Sequence, residues 1–167
     1  HCPQDSEKHL RCWSLYHRVY DFAMTFSWIR DGEMVIIVTA PEEVAGITAR
    51  REEGETAREY DGVRLETGPL DPSGLSPVDA IPALLTCARE GFIAECGTEL
   101  LGEAETLRLC CRDPDGQPGS GQEIQLWLDP ASGALLRGEL SVDGFTVIQC
   151  TFDGFTMELP AEDSMTN

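Results

Sequence analysis

Residues 123–152 read EIQLWLDPASGALLRGELSVDGFTVIQCTF, and this stretch decides the fold class. Ile124, Leu126 and Leu128 alternate with Gln125 and Trp127. Leu136, Gly138 and Leu140 alternate with Arg137, Glu139 and Ser141. Period-2 alternation sends successive side chains to opposite faces of a sheet. Pro130-Ala131-Ser132-Gly133 and Asp143-Gly144 punctuate the run, and Asp-Gly supplies the positive φ of a two-residue hairpin turn. The stretch therefore predicts an antiparallel meander with strands at 123–129, 134–141 and 145–152.

The strongest single strand lies at 20–28. There Tyr20, Phe22, Met24, Phe26 and Trp28 alternate with Asp21, Ala23, Thr25 and Ser27. Asp31-Gly32 turns the chain into 33–40, where Val35, Ile36, Ile37 and Val38 run unbroken, as in a strand buried on both faces. Weaker strands follow at 47–51, 56–60 and 63–67, the last two joined by Asp61-Gly62. Further strands are read at 92–101 and 106–112, with 114–121 a polar loop and 159–167 a frayed tail. Many short strands joined by hairpins predict a sandwich or barrel, not a parallel α/β sheet.

Two segments read as helix. At 4–16, Asp5 or Ser6 can cap, and Leu10, Trp13 and His17 share one side; the alternative reading of the first fourteen residues is an arm. At 76–90, Ser76 can cap with Pro77 in first position, and Val78, Ile81, Leu84, Leu85 and Ala88 form one stripe. Pro82 removes a backbone hydrogen bond and is expected to kink or restart this helix.

The 167 residues make one domain by size, and 41% hydrophobic content suffices for a core. A net charge of -18 repels polyphosphate and anionic membranes, so no nucleic-acid partner is expected; the acidity is read as solubility. No apolar run of about eighteen residues marks a transmembrane helix. Of the seven cysteines, Cys2, Cys12, Cys87, Cys96, Cys110, Cys111 and Cys150, no two have Cys-x-x-Cys spacing. They are read as small buried apolar residues, with a Cys2–Cys12 bridge open in an oxidising compartment. Cys110 and Cys111 are expected on opposite faces of a strand.

No catalytic constellation is found. Gly-x-Ser-x-Gly and phosphate-binding glycine loops are missing, and His1, His9 and His17 read as exposed polar residues. Glu42/Glu43 and Glu52/Glu53 read as solvated turns. Asp113-Pro114-Asp115-Gly116 invites a calcium reading, but Ile124 stands where an EF-hand needs its twelfth-position glutamate, which leaves at most a loose surface site. No enzyme activity, cofactor or metal site is expected.

The order of these motifs resembles the LolA-like superfamily of lipoprotein-sorting and lipid-binding lipoproteins, in its Gram-positive lipoprotein branch. The resemblance is carried by 20–28, by Gly32-Glu33, by Thr39-Ala40-Pro41-Glu42-Glu43-Val44-Ala45-Gly46-Ile47, and by Tyr60-Asp61-Gly62-Val63. Leu126-Trp127-Leu128-Asp129 with Gly133, then Val147 and Phe152-Asp153-Gly154-Phe155, complete it. It implies a mostly β (α+β) fold, an unclosed antiparallel β-barrel of about 8–11 strands with helices covering the concave face. The helix at 76–90 would be such a lid. One departure stands out: carriers tend to place an arginine soon after the proline that ends an early strand, and here Pro41 is followed by Glu, Glu, Val, Ala and Gly.

The resemblance implies a cell-surface lipoprotein, extracytoplasmic and membrane-anchored, that binds an acyl chain of a lipid or lipoprotein without covalent chemistry. The start at His1-Cys2-Pro3 fits a trimmed form with a lipid-modified cysteine upstream. An open curved sheet must fill its concave side with side chains, a helix or a ligand. The candidate lining is Phe22, Met24, Phe26, Trp28, Ile37, Ile81, Leu84, Leu85, Leu126, Leu128 and Leu140. The alternative is a non-enzymatic envelope interaction or sensor module in which the same residues form a filled core.

Overall fold

A computed structural model describes residues 7–13, 19–28, 33–52, 55–60, 63–68 and 77–154. The chain runs through β1 (Glu7–Trp13), β2 (Val19–Trp28), β3 (Met34–Ala40), a 3-10 turn (Glu42–Val44), β4 (Thr48–Glu52), β5 (Glu55–Tyr60) and β6 (Val63–Gly68). After these come the helix α1 (Pro77–Glu90), then β7 (Ile93–Leu101), β8 (Ala104–Arg112), β9 (Gln122–Leu128), β10 (Leu135–Val142) and β11 (Phe145–Phe152). The strands form one eleven-stranded sheet in the order β6-β5-β4-β3-β2-β1-β11-β10-β9-β8-β7. Every neighbouring pair is antiparallel.

The meander is where the alternation places it. Asp143 and Gly144 hold φ of 50° and 80°, the left-handed pair that a tight hairpin between β10 and β11 requires. At the β9–β10 turn the Asp129 carboxylate accepts hydrogen bonds from the Ser132 backbone N–H, at 3.0 Å, and from its hydroxyl. That self-bonded turn is the local reason for a reversal at 129–133.

The sheet is rolled. Asp79, near the start of α1, pairs with Arg58 of β5, while Cys87, near its end, meets Cys111 of β8. Eight strand-to-strand steps separate β5 from β8 in the sheet order. Laid flat, those steps would span about 38 Å. Asp79 and Cys87 lie only about 12 Å apart along a helix. One helix can touch both strands only if the sheet curls around it. The end strands β6 and β7 do not pair with each other, so the roll stays open.

Two expectations are corrected. Residues 7–13 form β1, not a helix; β1 fills the slot between β2 and β11, with Leu10 opposite Phe22 on one side and Cys150 on the other. Two strands' worth of ladder hydrogen bonds outweighs a weak helical pattern, because β2 and β11 would otherwise carry unpaired backbone groups mid-sheet. Nor does Pro82 break α1, which runs unbroken over Pro77–Glu90. It costs one bond, the one its missing N–H would give to the Val78 carbonyl. The proposed cap Ser76, Cys2 of the Cys2–Cys12 bridge and the tail at 159–167 lie outside the described residues.

Candidate functional site: the concave face and its helix

Helix α1 lies in the trough of the sheet. Its buried stripe, Ala80, Ile81, Leu84 and Leu85, packs into one cluster with Met24, Ile36, Val38, Leu126, Leu140 and Ile148. Gly138 marks the closest approach. A Cβ there would stand 2.7 Å from Leu84 Cδ1, so only glycine lets the helix rest on β10 at this depth.

The structure sorts the eleven candidates into three groups. Met24, Ile81, Leu84, Leu85, Leu126 and Leu140 meet beneath α1 and are buried. Phe22, Phe26 and Leu128 are half-buried against that cluster, and Trp28, 37% exposed, stands at the end of β2 on the same side. Ile37 does not belong: Met34, Ile36 and Val38 of β3 point into the trough, whereas Ile37 points out and is 37% exposed. The unbroken apolar run 35–38 hides the parity that pairing decides, Ile36 facing Phe26 and Val38 facing Met24.

Polar contacts fasten the helix toward both ends. Arg58 Nη2 donates to Asp79 Oδ2 at 3.2 Å, and the Asp79 side chain is only 2% exposed. Arg58 Nε is buried without a hydrogen-bond partner among the described residues. In the last turn, the Arg89 guanidinium sits 5.8 Å from the centre of the Trp28 ring, a cation–π contact at the rim. The sequence pattern singles out neither Arg58 nor Asp79. The one available signal is an arginine in an otherwise weak strand and an acid amid the apolar stripe of α1.

The outer face is polar and cross-linked. Arg112 reaches Glu95 at 2.5 Å and Glu123 at 2.9 Å, and Arg108 binds Glu95 and Glu99, each at 3.3 Å, and Gln125. Arg137 lies 5.1 Å from the centre of the Trp127 ring. The hydrogen bond and charge of Arg112 hold the Glu95 carboxyl below the ordinary range. Cys110 and Cys111 take opposite faces, Cys111 in the trough cluster and Cys110 beside Gln125 on the outside. Among the described residues no three His, Cys, Asp or Glu side chains gather as metal ligands. His1 and His17 lie outside the described residues.

Neither a protein-family model nor a curated protein matches the sequence. Solved structures do match the fold. A chain in the structure of the CwlD amidase from Clostridioides difficile in complex with the GerS lipoprotein aligns with a TM-score of 0.53 and 11% identity, covering 91% of this chain and 84% of that one. An uncharacterized conserved protein from Thermus thermophilus aligns with a TM-score of 0.50 and 10% identity, covering 95% and 83%. A LolA superfamily protein from Nitrosomonas europaea is also among the structural neighbours, at TM-score 0.46 and 14% identity, covering 95% and 89%. The overall fold is thus one already seen in solved structures, and a LolA superfamily protein is among the structural neighbours.

Proposed function

We propose that this chain is a non-enzymatic, extracytoplasmic binding protein that receives an acyl chain of a lipid or lipoprotein in the trough now filled by α1. The observation that supports it is the helix itself: an amphipathic segment occupying an open, apolar half-barrel, fastened by Arg58–Asp79 and Arg89–Trp28. Half-buried Phe22, Phe26 and Leu128 flank it, with Trp28 at the rim.

The magnitudes allow exchange. Lifting Ile81, Leu84 and Leu85 out of the trough costs about 5–9 kcal/mol. Burying a sixteen-carbon tail in their place returns about 12 kcal/mol. A structural neighbour from a complex whose name includes a lipoprotein adds support of kind, not of ligand.

A second reading is an interaction or sensor module with a permanently filled core. It is favoured by the depth of Leu84 against Gly138 and the full burial of Met24, Leu126 and Leu140. Native mass spectrometry of gently purified protein, followed by titration with cis-parinaric acid, separates the two. Retained lipid or saturable probe fluorescence is the expected result. A bare mass together with no probe uptake would establish the filled core instead.

A further inference from the structure

Strand β7 ends the sheet, and among the described residues no strand pairs with its outer edge. Its residues are exposed almost throughout, with Ile93 at 51% and Leu100 at 67%. Natural sheets guard such edges with charges reaching over the edge, with proline, or with bulges. Here the guards are weak. No proline or lysine occurs within β7. The register shift falls at its start, between Ile93 and Glu95, leaving the rest regular. Its two carboxylates turn back over β8: Glu95 onto Arg108 and Arg112, Glu99 onto Arg108.

The two sides of this edge differ in chemistry. By register, Cys96, Thr98 and Leu100 share the side of Leu107 and Leu109, which leads into the trough. On the other side stand Glu95 and Glu99. The β7–β8 hairpin closes the end of the edge with Glu103 at its turn and Glu105 opposite Leu100, both exposed. Of the five glutamates from Glu90 to Leu107, Glu90, Glu95 and Glu99 pair with Arg89, Arg108 and Arg112, whereas Glu103 and Glu105 have no ion pair among the described residues.

We infer that β7 is a docking edge for an extended segment of a partner protein, one that alternates apolar and basic residues. Backbone hydrogen bonds would add it as a twelfth strand beside the eleven present. Its apolar side chains would continue the trough over Leu100, and its cations would meet Glu103 at the hairpin end, within the negative field of Glu95 and Glu99. Charge selects this occupant over a second copy of the chain: with a net charge of -18, two copies repel, and their glutamate-bearing edges would face each other.

The test uses the full chain and a fluorescein-labelled nonapeptide of alternating valine and lysine, followed by anisotropy and hydrogen exchange. Expected are saturable binding that weakens with salt and slowed exchange at amides 93–101. Leu100→Asp and the double change Glu103→Lys/Glu105→Lys should each weaken binding about tenfold or more. These side chains are exposed, so circular dichroism should show the fold intact. Equal binding of a valine–glutamate peptide, or protection confined to other strands, would overturn the inference. So would a β7-protected homodimer in sedimentation, which would assign the edge to self-association. Lipid retention is measured independently, so either result can fail without the other.

Discussion

Leu84 of α1 presses directly onto the backbone of Gly138 in β10: a Cβ at that glycine would lie 2.7 Å from Cδ1 and 2.9 Å from Cδ2 of the leucine. Leu84 is fully buried, so its methyls have nowhere to retreat without moving the helix. Gly138→Ala should therefore destabilise by about 1–3 kcal/mol, an overpacking penalty. Leu84→Ala should cost about 2–5 kcal/mol through the cavity it leaves. In urea denaturation the double variant should lose clearly less than the sum, because the smaller side chain at 84 makes room for the alanine at 138. Strict additivity would mean that the helix does not rest on Gly138 in solution.

The Arg58–Asp79 pair is asymmetric, with the arginine side chain 38% exposed and the aspartate nearly sealed. Removing the cation takes a charged partner from a nearly sealed carboxylate, whereas removing the charge on Asp79 frees an arginine that can reach water. Arg58→Met should therefore cost about 1–3 kcal/mol and Asp79→Asn less. Hydrogen exchange should report the loss locally, with α1 amides speeding up ahead of those in β9 and β10. Uniform acceleration across the sheet would show that the pair supports the whole fold and does not fasten the helix.

On the outer face, Glu95 offers a pH test. The Arg112 hydrogen bond, then its charge, lowers the Glu95 carboxyl in the folded protein, and Arg108 adds to this. A depressed folded pKa stabilises above the ordinary glutamate value of about 4.3 and loses that contribution as pH falls through the folded value. The gap in thermal midpoint between the natural chain and Glu95→Gln should shrink between pH 7 and pH 3. A gap that does not change with pH would mean that the pair with Arg112 is not formed.

What the sequence exposes, and what it hides, follows from where the information lies. The β10–β11 hairpin is legible because Asp143-Gly144 encodes backbone geometry directly. β2 is legible because one of its faces is apolar and the other largely polar. β1 reads as helix in the sequence because its identity comes from two neighbours distant along the chain, Phe22 and Cys150 opposite Leu10. Ile37 is assigned to the wrong face because an all-apolar run has no internal phase. Most of the trough is legible, since Met24, Leu126 and Leu140 sit on cleanly alternating strands. The polar fastening by Arg58 is not, because an ion pair between a strand and a helix has no spacing signature.

The thiols should divide by environment. Burial first, then the neighbouring Cys111 thiol, pushes Cys87 well above its ordinary value, and burial likewise raises Cys110. Cys96 on the β7 edge is exposed. Only the thiolate attacks an alkylating agent, and at pH 8 a raised pKa leaves little of it. Iodoacetamide should therefore label Cys96 first among these three, with Cys87 and Cys110 reacting only after urea, as read by peptide mass spectrometry. The same shifts fix a sign for stability. These neutral thiols, Cys87 half-buried and Cys110 buried, contribute fully below the unfolded value of about 8.5, and the contribution is lost as pH rises above it, because the unfolded chain then ionises and the folded one does not. Unfolding in urea should accordingly become easier between pH 8 and pH 10, and the Cys87→Ala variant should show a shallower decline. Rapid labelling of Cys87 in the native protein would mean instead that α1 lifts from the trough on the timescale of the reaction.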